Sequence, residues 1–563
     1  MIRNTTTHSF AIAALLALGA SSPIAIAQAT TSPEAGSGRD GRPAPASQRV
    51  DADLDAWWQH AVFYEVFVRS FADSTTGPLA GDGVGDLRGL IENLDYLNDG
   101  NPETDEDLGI TALWLMPIAE SDSYHGYDTI DYRRIDPRYG TNEDFVELIE
   151  ACHERGIRVT VDLVLNHCAD EHPWFVASAS GDPDKRDWFI WRDEDPGWRG
   201  PWNQQVWHQG PGARPGYYYG LFHDGMPDLN YEHPPVSEEM LGVTRFWIEQ
   251  LGADGFRLDA VRHLIEDGQV QDNTPATHAW LADFYRFVKG IDPETLLVGE
   301  VWAPSVDVSR YVGDQMDLAF EFWLSDAMLQ SVRERRAKPV LDRLGVVGEH
   351  YPLGMYATFL RNHDQPRVVT ALEGDRDGAR LAAAIQFALP GVPYIYYGEE
   401  IGMTGDKPDP QIRTPMQWTG RAPGVGFTSG DPWIDPKPDA RDVNVRTLAV
   451  DPGSLLSFYR RLIRARLEHE ALRTGRVTVL DSGDPRVLAL VRDRPDGAVL
   501  CVFNLGDDPI EGLQLDTVPL AELGIDGRAT LGHDLLEGGP GGTVALPVRT
   551  LPARSGAYYP IHR

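Results

Sequence analysis

The chain has 563 residues, enough for one large core with accessory domains, and its 42% hydrophobic and 10% aromatic content is that of an ordinary globular protein. Acidic residues outnumber basic ones 85 to 50, for a formal charge of -35; such a surface repels a phosphate backbone, which excludes nucleic acid as a partner but leaves a neutral sugar polymer unaffected. Only Cys152, Cys168 and Cys501 occur; an odd number leaves at least one thiol unpaired, and no zinc-type spacing is present.

At the N-terminus Arg3 precedes an apolar run from Phe10 to Ala20 and the small-residue stretch Ala25-Ile26-Ala27-Gln28-Ala29. This is the pattern of an export signal over residues 1–29, cut near Gln28 or Thr30. A secreted or periplasmic protein is expected. With no Cys at the cleavage site and no later apolar run long enough to span a bilayer, no membrane anchor is expected after cleavage. Residues 30–50, rich in Pro, Gly, Ala and Ser, read as a disordered linker.

From Trp57 onward, apolar runs alternate with amphipathic stretches of helical period. The runs are VFYEVFVRS (62–70), ALWLMPI (112–118), RVTVDLVLN (158–166), GFRLDAV (255–261), LLVGEVW (296–302), LAFEFWL (318–324), MYATFLRNHD (355–364) and VPYIYYGEE (392–400). Eight such strands predict an α/β chain folded as a (β/α)₈ TIM barrel, built from residues 51–166 and 231–473. Residues 167–230, dense in Gly, Pro, Trp and Tyr, are too many for a simple loop and form an inserted subdomain after the third strand. A helix over about Gly453–Leu472 follows the eighth strand. The alternating segments VLALVRD (487–493) and AVLCVFN (498–504) then place a C-terminal antiparallel β-domain in residues 474–563.

The chemistry of such a barrel sits at the C-terminal ends of its strands. Three predicted strands carry an acid there: Asp259 on the fourth, Glu300 on the fifth and Asp364 on the seventh. Two carboxyl groups flanking a glycosidic bond divide the nucleophile and proton-donor roles, and retaining chemistry needs them about 5 to 5.5 Å apart. Arg257, two residues before Asp259 and so on the same side of the strand, holds that carboxylate ionised; an ordinary core ion pair is compatible with the same placement.

The segments VDLVLNH (161–167), GFRLDAVRH (255–263), GEVW (299–302) and RNHD (361–364), in this order, closely resemble the four signature segments of the α-amylase family, glycoside hydrolase family 13. The resemblance runs from Val62 to the C-terminus. It implies that Asp259 is the nucleophile, Glu300 the general acid and base, and Asp364 the stabiliser of the oxocarbenium-like transition state. By the same resemblance His167 and His363 hydrogen-bond the sugar at the cleaved unit, and Tyr127 of YHGYD (124–128) stacks on it. The implied substrate is an α-glucan or maltooligosaccharide, cut at α-1,4 bonds by a chain expected to be monomeric.

Asp73, Asp82 and Asp86 lie in the Gly-rich segment DSTTGPLAGDGVGD (73–86) and suit a hard cation. The segment resembles the calcium loop of oligo-1,6-glucosidases and related amylases, with Val84 offering its carbonyl; it departs from that loop by extra residues between Asp73 and Asp82 and by lacking the usual Asn. An ordinary Asp-Gly turn is the alternative. Asn166, Asp228 and the carbonyl of His263 resemble part of a different calcium site, but no further carboxylate from the insertion completes it.

MPDLN (226–230) is similar to the intermediate group between oligo-1,6-glucosidases and neopullulanases. Arg262 and His263 resemble the Lys-His pair that α-amylases use on the leaving-group side. Asp128 and Arg367 instead match a pair that closes the pocket in exo-acting relatives, and RTPMQW (413–418) also looks glucosidase-like. Alternatives are therefore an exo-acting α-glucosidase or oligo-1,6-glucosidase, and a trehalose-forming isomerase or transglycosylase. A catalytically silent transporter subunit is disfavoured by the intact carboxylates, and a plain starch-binding protein is a further alternative.

Overall fold

In the computed structural model, residues 56–211, 216–525, 529–537, 544–545 and 550–562 are described. The export signal and the linker expected in residues 1–50 lie outside them. Eight parallel strands form one sheet: β1 (Phe63–Val66), β2 (Ala112–Leu115), β3 (Arg158–Leu163), β4 (Gly255–Leu258), β5 (Leu296–Gly299), β6 (Leu318–Ala319), β7 (Ala357–Thr358) and β8 (Val392–Tyr396). Their order is β6-β5-β4-β3-β2-β1-β8-β7, and a parallel bridge between Phe320 and Ala357 joins the two edges, closing the barrel.

The strands are apolar on both faces because each face is covered. Phe63, Trp114, Leu296, Val298, Leu318 and Tyr394 pack together inside the barrel, while Tyr64, Leu113, Leu115, Leu297 and Phe256 pack under the helices. This two-residue alternation assigns every strand position to one face. Burying each such side chain contributes roughly 1.5–3 kcal/mol, and inside the barrel Phe63 stacks on Tyr394 at 4.3 Å between ring centroids. The outer helices are cut from the same pattern. In the helix Asn142–Glu154, Thr141 and Asp144 cap each other's backbone reciprocally, and Phe145, Leu148, Ile149 and Cys152 form the buried face.

Several strands are shorter than the sequence predicts. The sixth, expected over 318–324, ends at Ala319, and residues 322–324 open the helix Phe322–Glu334. The chain turns at Glu321, whose N–H still donates to the Ala357 carbonyl at 3.1 Å and whose buried carboxylate accepts hydrogen bonds from Ser305 and Tyr351. The seventh, expected over 355–364, is reduced to Ala357–Thr358. Asp364 is therefore not a strand end. It stands in a turn in which its N–H donates to the Asn362 side chain.

Between β3 and the helix Pro234–Glu249 lies a short helix, Pro173–Ser180, and a three-stranded antiparallel sheet of Trp191–Arg192, Tyr217–Tyr219 and Trp207–Gln209. Val206, Trp207, Tyr219 and Leu221 form its own small core. After the helices Leu455–Glu468 and Glu470–Thr474, an antiparallel sheet follows whose long strands are Val487–Arg494, Gly497–Asn504 and Ser555–His562. The buried Arg492 ties this sheet to the barrel by donating to the Ala388 carbonyl at 2.9 Å, and it also donates to the carbonyl of Gly475, just before the sheet's first strand, at 2.9 Å. All three cysteines are buried and free. No helix among the described residues is long and apolar enough to cross a membrane.

Candidate active site

The register of β4 and β5 pairs Leu258 with Gly299, so the next residue on each strand, Asp259 and Glu300, emerge side by side. Gly299 is required where it stands, because a Cβ there would lie 1.9 Å from the Met316 sulfur. Immediately after Asp259, Ala260 is held at φ 48°, in the left-handed region, and its N–H donates to Glu300 Oε2 at 3.1 Å. Such backbone strain persists where surrounding structure enforces it.

Arg257 is buried beneath both acids. One nitrogen, Nη1, lies 2.5 Å from Asp259 Oδ1 and 3.0 Å from Asp162 Oδ1; the other, Nη2, lies 2.9 Å from Glu300 Oε2. A single positive charge thus faces three carboxyl groups. Burial pushes Glu300 up to about 7; Arg257 opposes that rise and the charges of Asp259 and Asp364 add to it. Burial likewise raises Asp162.

Asp364 behaves in the opposite way. Burial pushes its carboxyl up, but His363 and Arg413 outweigh that and hold it far below the usual carboxylate range. His363 Nε2 lies 3.0 Å from Asp364 Oδ2, and Arg413 Nη2 donates to Asp364 Oδ1 at 2.8 Å. Tyr127 closes the group: its hydroxyl donates to Asp162 Oδ2 at 3.0 Å, meets His363 Nε2 at 2.8 Å, and its ring stacks on the His363 ring at 5.7 Å. The site therefore holds Glu300, raised into the neutral range, beside Asp364, held ionised by His363 and Arg413, the division of roles that acid-assisted bond cleavage needs.

The remaining predicted residues fall into two groups. His167 is buried, kept neutral by burial that lowers it to about 4, with Nδ1 against Asn166 Oδ1 and no partner in the structure on Nε2. His263 is likewise held neutral at about 4, chiefly by burial; its Nδ1 contacts the Gln271 carbonyl at 2.7 Å. Arg262 pairs with Asp272 and donates to the Trp302 carbonyl, so it braces the two loops that carry them. Asp128 accepts hydrogen bonds from Ser121 at 2.6 Å and from Ser123.

The expected bridge between Asp128 and Arg367 is not formed. Arg367 is buried behind β8, where it donates to the carbonyls of Ile412 at 2.9 Å and Tyr397 at 2.6 Å and lies over the rings of Tyr396 and Tyr397. The arginine that reaches Asp364 is Arg413, the first residue of RTPMQW, which also approaches Asp409 at 3.6 Å. Glu65 and Asp162 were also missed. Both are acids inside otherwise apolar strands at inward-facing positions, a signal the alternation contains.

In the Gly-rich loop, Asp73 accepts the N–H groups of Gly81 and Gly83, each at 2.9 Å, and the Thr428 hydroxyl. Asp86 caps the helix Leu87–Glu92 through Gly89 N–H at 2.7 Å and accepts the Ser74 hydroxyl at 2.8 Å. Asp82 is exposed and turns back onto Val84 N–H. Among the described residues no three His, Cys, Asp or Glu side chains are grouped as a metal would require, so a cation here would draw on carbonyl oxygens as well. At the other candidate position, the Asn166 amide donates to the His263 carbonyl at 2.6 Å.

Residues 65–475 match the family model of the α-amylase catalytic domain. Alpha-amylase 3 of Dictyoglomus thermophilum is 42% identical over 458 residues, covering 80% of this chain and 86% of its own length. A trehalose synthase/amylase of Mycolicibacterium smegmatis is 35% identical over 520 residues, covering 80% of this chain and 85% of its own length. The crystal structure of an α-amylase from H. orenii superposes with a TM-score of 0.78 at 36% identity, over 90% of this chain and all of that one. With its closed eight-stranded barrel, its acids at the β4 and β5 ends and this likeness over most of its length, the chain belongs to the α-amylase family of glycoside hydrolases.

Proposed function

We propose that the protein is an exported, retaining α-glucan hydrolase that cleaves α-1,4-glucosidic bonds of starch or maltooligosaccharides. The observation that carries this reading is the single Arg257 guanidinium shared by Asp259 and Glu300. Asp259, paired with Arg257, attacks the anomeric carbon and forms a glycosyl-enzyme intermediate. Glu300, protonated near neutrality, gives its proton to the leaving oxygen and then takes one from the attacking water. Asp364, with His363 and Arg413 behind it, stabilises the positive charge that develops on the sugar ring.

The test is product analysis on starch, maltotriose and maltose. Rapid fragmentation of starch into maltooligosaccharides supports the proposal, and glucose as the sole product refutes it. D259N is expected to abolish turnover while leaving the fold intact. The match to a trehalose synthase/amylase favours one second reading, isomerisation of maltose to trehalose, which the same maltose digest detects.

Export is proposed on the signal-like residues 1–29, to the periplasm or the medium, with the chain acting as a monomer. Structural calcium at the loop 73–86 is proposed on the chemistry of its donors. Asp73 and Asp86 are buried, neither has an ion-pair partner among the described residues, and the same segment carries Asp82 and the Val84 carbonyl.

A further inference from the structure

We infer that Glu65 is a positioning residue for the catalytic site: it fixes His363 as a hydrogen-bond donor at both ring nitrogens, and through that ring it orients Asp364. The inference rests on the catalytic reading of Asp364 given above. Glu65 lies on β1 at the inward-facing parity of Phe63 and is 2% exposed. Its Oε1 stands 2.5 Å from His363 Nδ1, while His363 Nε2 stands 3.0 Å from Asp364 Oδ2.

An imidazole with a carboxylate at each nitrogen has one arrangement without repulsion. In either neutral tautomer, one nitrogen would aim its lone pair at a carboxylate oxygen. Only the doubly protonated ring donates to both. The Tyr127 contact agrees with this, since its hydroxyl spends its proton on Asp162 Oδ2 and presents a lone pair to His363 Nε2–H. Without Glu65, the ring would need only the Nε2 proton that faces Asp364, and Nδ1 would lose the acceptor that holds the ring in place.

The other groups around the ring do not supply that charge. Trp114 meets it edge-on at 5.6 Å and Tyr127 stacks at 5.7 Å. Asp162 and Arg257 lie beyond Tyr127 and pair with each other. Arg413 donates to the His363 carbonyl at 2.9 Å and to Asp364, which brings positive charge and favours the neutral ring. Behind Glu65, Glu399 is buried and raised to about 8, chiefly by its burial, with its Oε1 accepting from Tyr459. Among the described residues Glu65 has no Lys or Arg partner, so its charge is directed at His363. Burial pulls the imidazole down, yet the carboxylates of Asp364 and Glu65 together hold it at about 9.

The experiment uses the full chain and its E65Q, E65D, H363Q and E65Q/H363Q variants. Imidazole titrations are followed by NMR with labelled histidine, the His363 signal being the one missing in H363Q, and kcat and KM for maltotriose are measured from about pH 5 to about pH 9. In E65Q the His363 titration is expected to fall by at least about one pH unit, with kcat at neutral pH reduced about tenfold and KM changed far less. E65D, which keeps the charge, is expected to hold the titration close to that of the parent. The double variant is expected to be no slower than H363Q, since Glu65 acts through the ring.

A His363 titration unmoved in E65Q, an equal fall in E65D, or losses that multiply in the double variant would each overturn the inference. If E65Q does not fold, E65D alone decides, by whether its titration stays with the parent. A parent inactive on maltotriose would refute the proposed activity, whereas the NMR titrations test Glu65 independently of the glucan cleaved.

Discussion

Arg257 holds Asp259 and Glu300 on different nitrogens of one guanidinium, at 2.5 Å and 2.9 Å. That fork sets the two carboxyl groups in a fixed relation, and a lysine has a single point of charge to offer in its place. R257K is expected to lower kcat on maltotriose by about a hundredfold or more, the equivalent of about 2.7 kcal/mol of transition-state stabilisation. Steady-state kinetics check this, with circular dichroism to establish that the variant is folded.

Glu300 must carry its proton to act as the acid. Because its carboxyl is raised to about 7 by burial and neighbouring charge, kcat/KM is expected to fall as pH rises through that value. E300Q is expected to lose maltotriose hydrolysis almost entirely yet to retain glycosylation by α-maltosyl fluoride, whose leaving group needs no proton. A pH profile and a fluoride-release assay test the two statements.

Gly299 ends β5 directly before Glu300, and Met316 leaves it no room for a side chain. G299A is expected to cost roughly 1–3 kcal/mol of stability through overpacking and to depress kcat by displacing the acid. Adding M316A is expected to recover part of both losses. Thermal melts and kinetics on the single and double variants measure the recovery.

The three thiols are buried and unpaired, and burial raises Cys152 to about 12. A thiolate is the reactive form, so the native protein is expected to show no reaction with a thiol reagent and all three groups are expected to react in denaturant. A reductant is expected to leave the melting temperature unchanged.

If calcium binds at the loop 73–86, it stabilises the folded state by mass action. Chelation is expected to lower the melting temperature, readdition of calcium to restore it, and D82A to weaken the dependence. Differential scanning calorimetry in chelator and in excess calcium reads each outcome without reference to activity.

The parts of the site legible in the sequence are those that strand geometry alone brings together. Asp259 and Glu300 follow the last residues of neighbouring strands, so counting strands suffices to place them side by side. Asp364 was found through its segment, although its strand is much shorter than the apolar run implies. Arg413 and Glu65 were not found, because their partners are remote along the chain: Arg413 is 49 residues from Asp364, and Glu65 is 298 residues from His363. Alternation places Glu65 inside the barrel but does not say which residue faces it there. Arg367 went wrong for a related reason. Its position in a familiar pattern says nothing of burial, and the Ile412 and Tyr397 carbonyls draw its guanidinium inward.

The Arg492 contacts carry a consequence for how this architecture can be cut and recombined. A guanidinium from the terminal sheet satisfies the carbonyl of Ala388, the last residue of the barrel helix Arg376–Ala388. Deleting that sheet would leave this buried acceptor without its donor, a penalty of about 1–3 kcal/mol. The terminal sheet is thus a fitted lid on the barrel's underside, and an exchange between relatives would have to keep Arg492 and its acceptor matched.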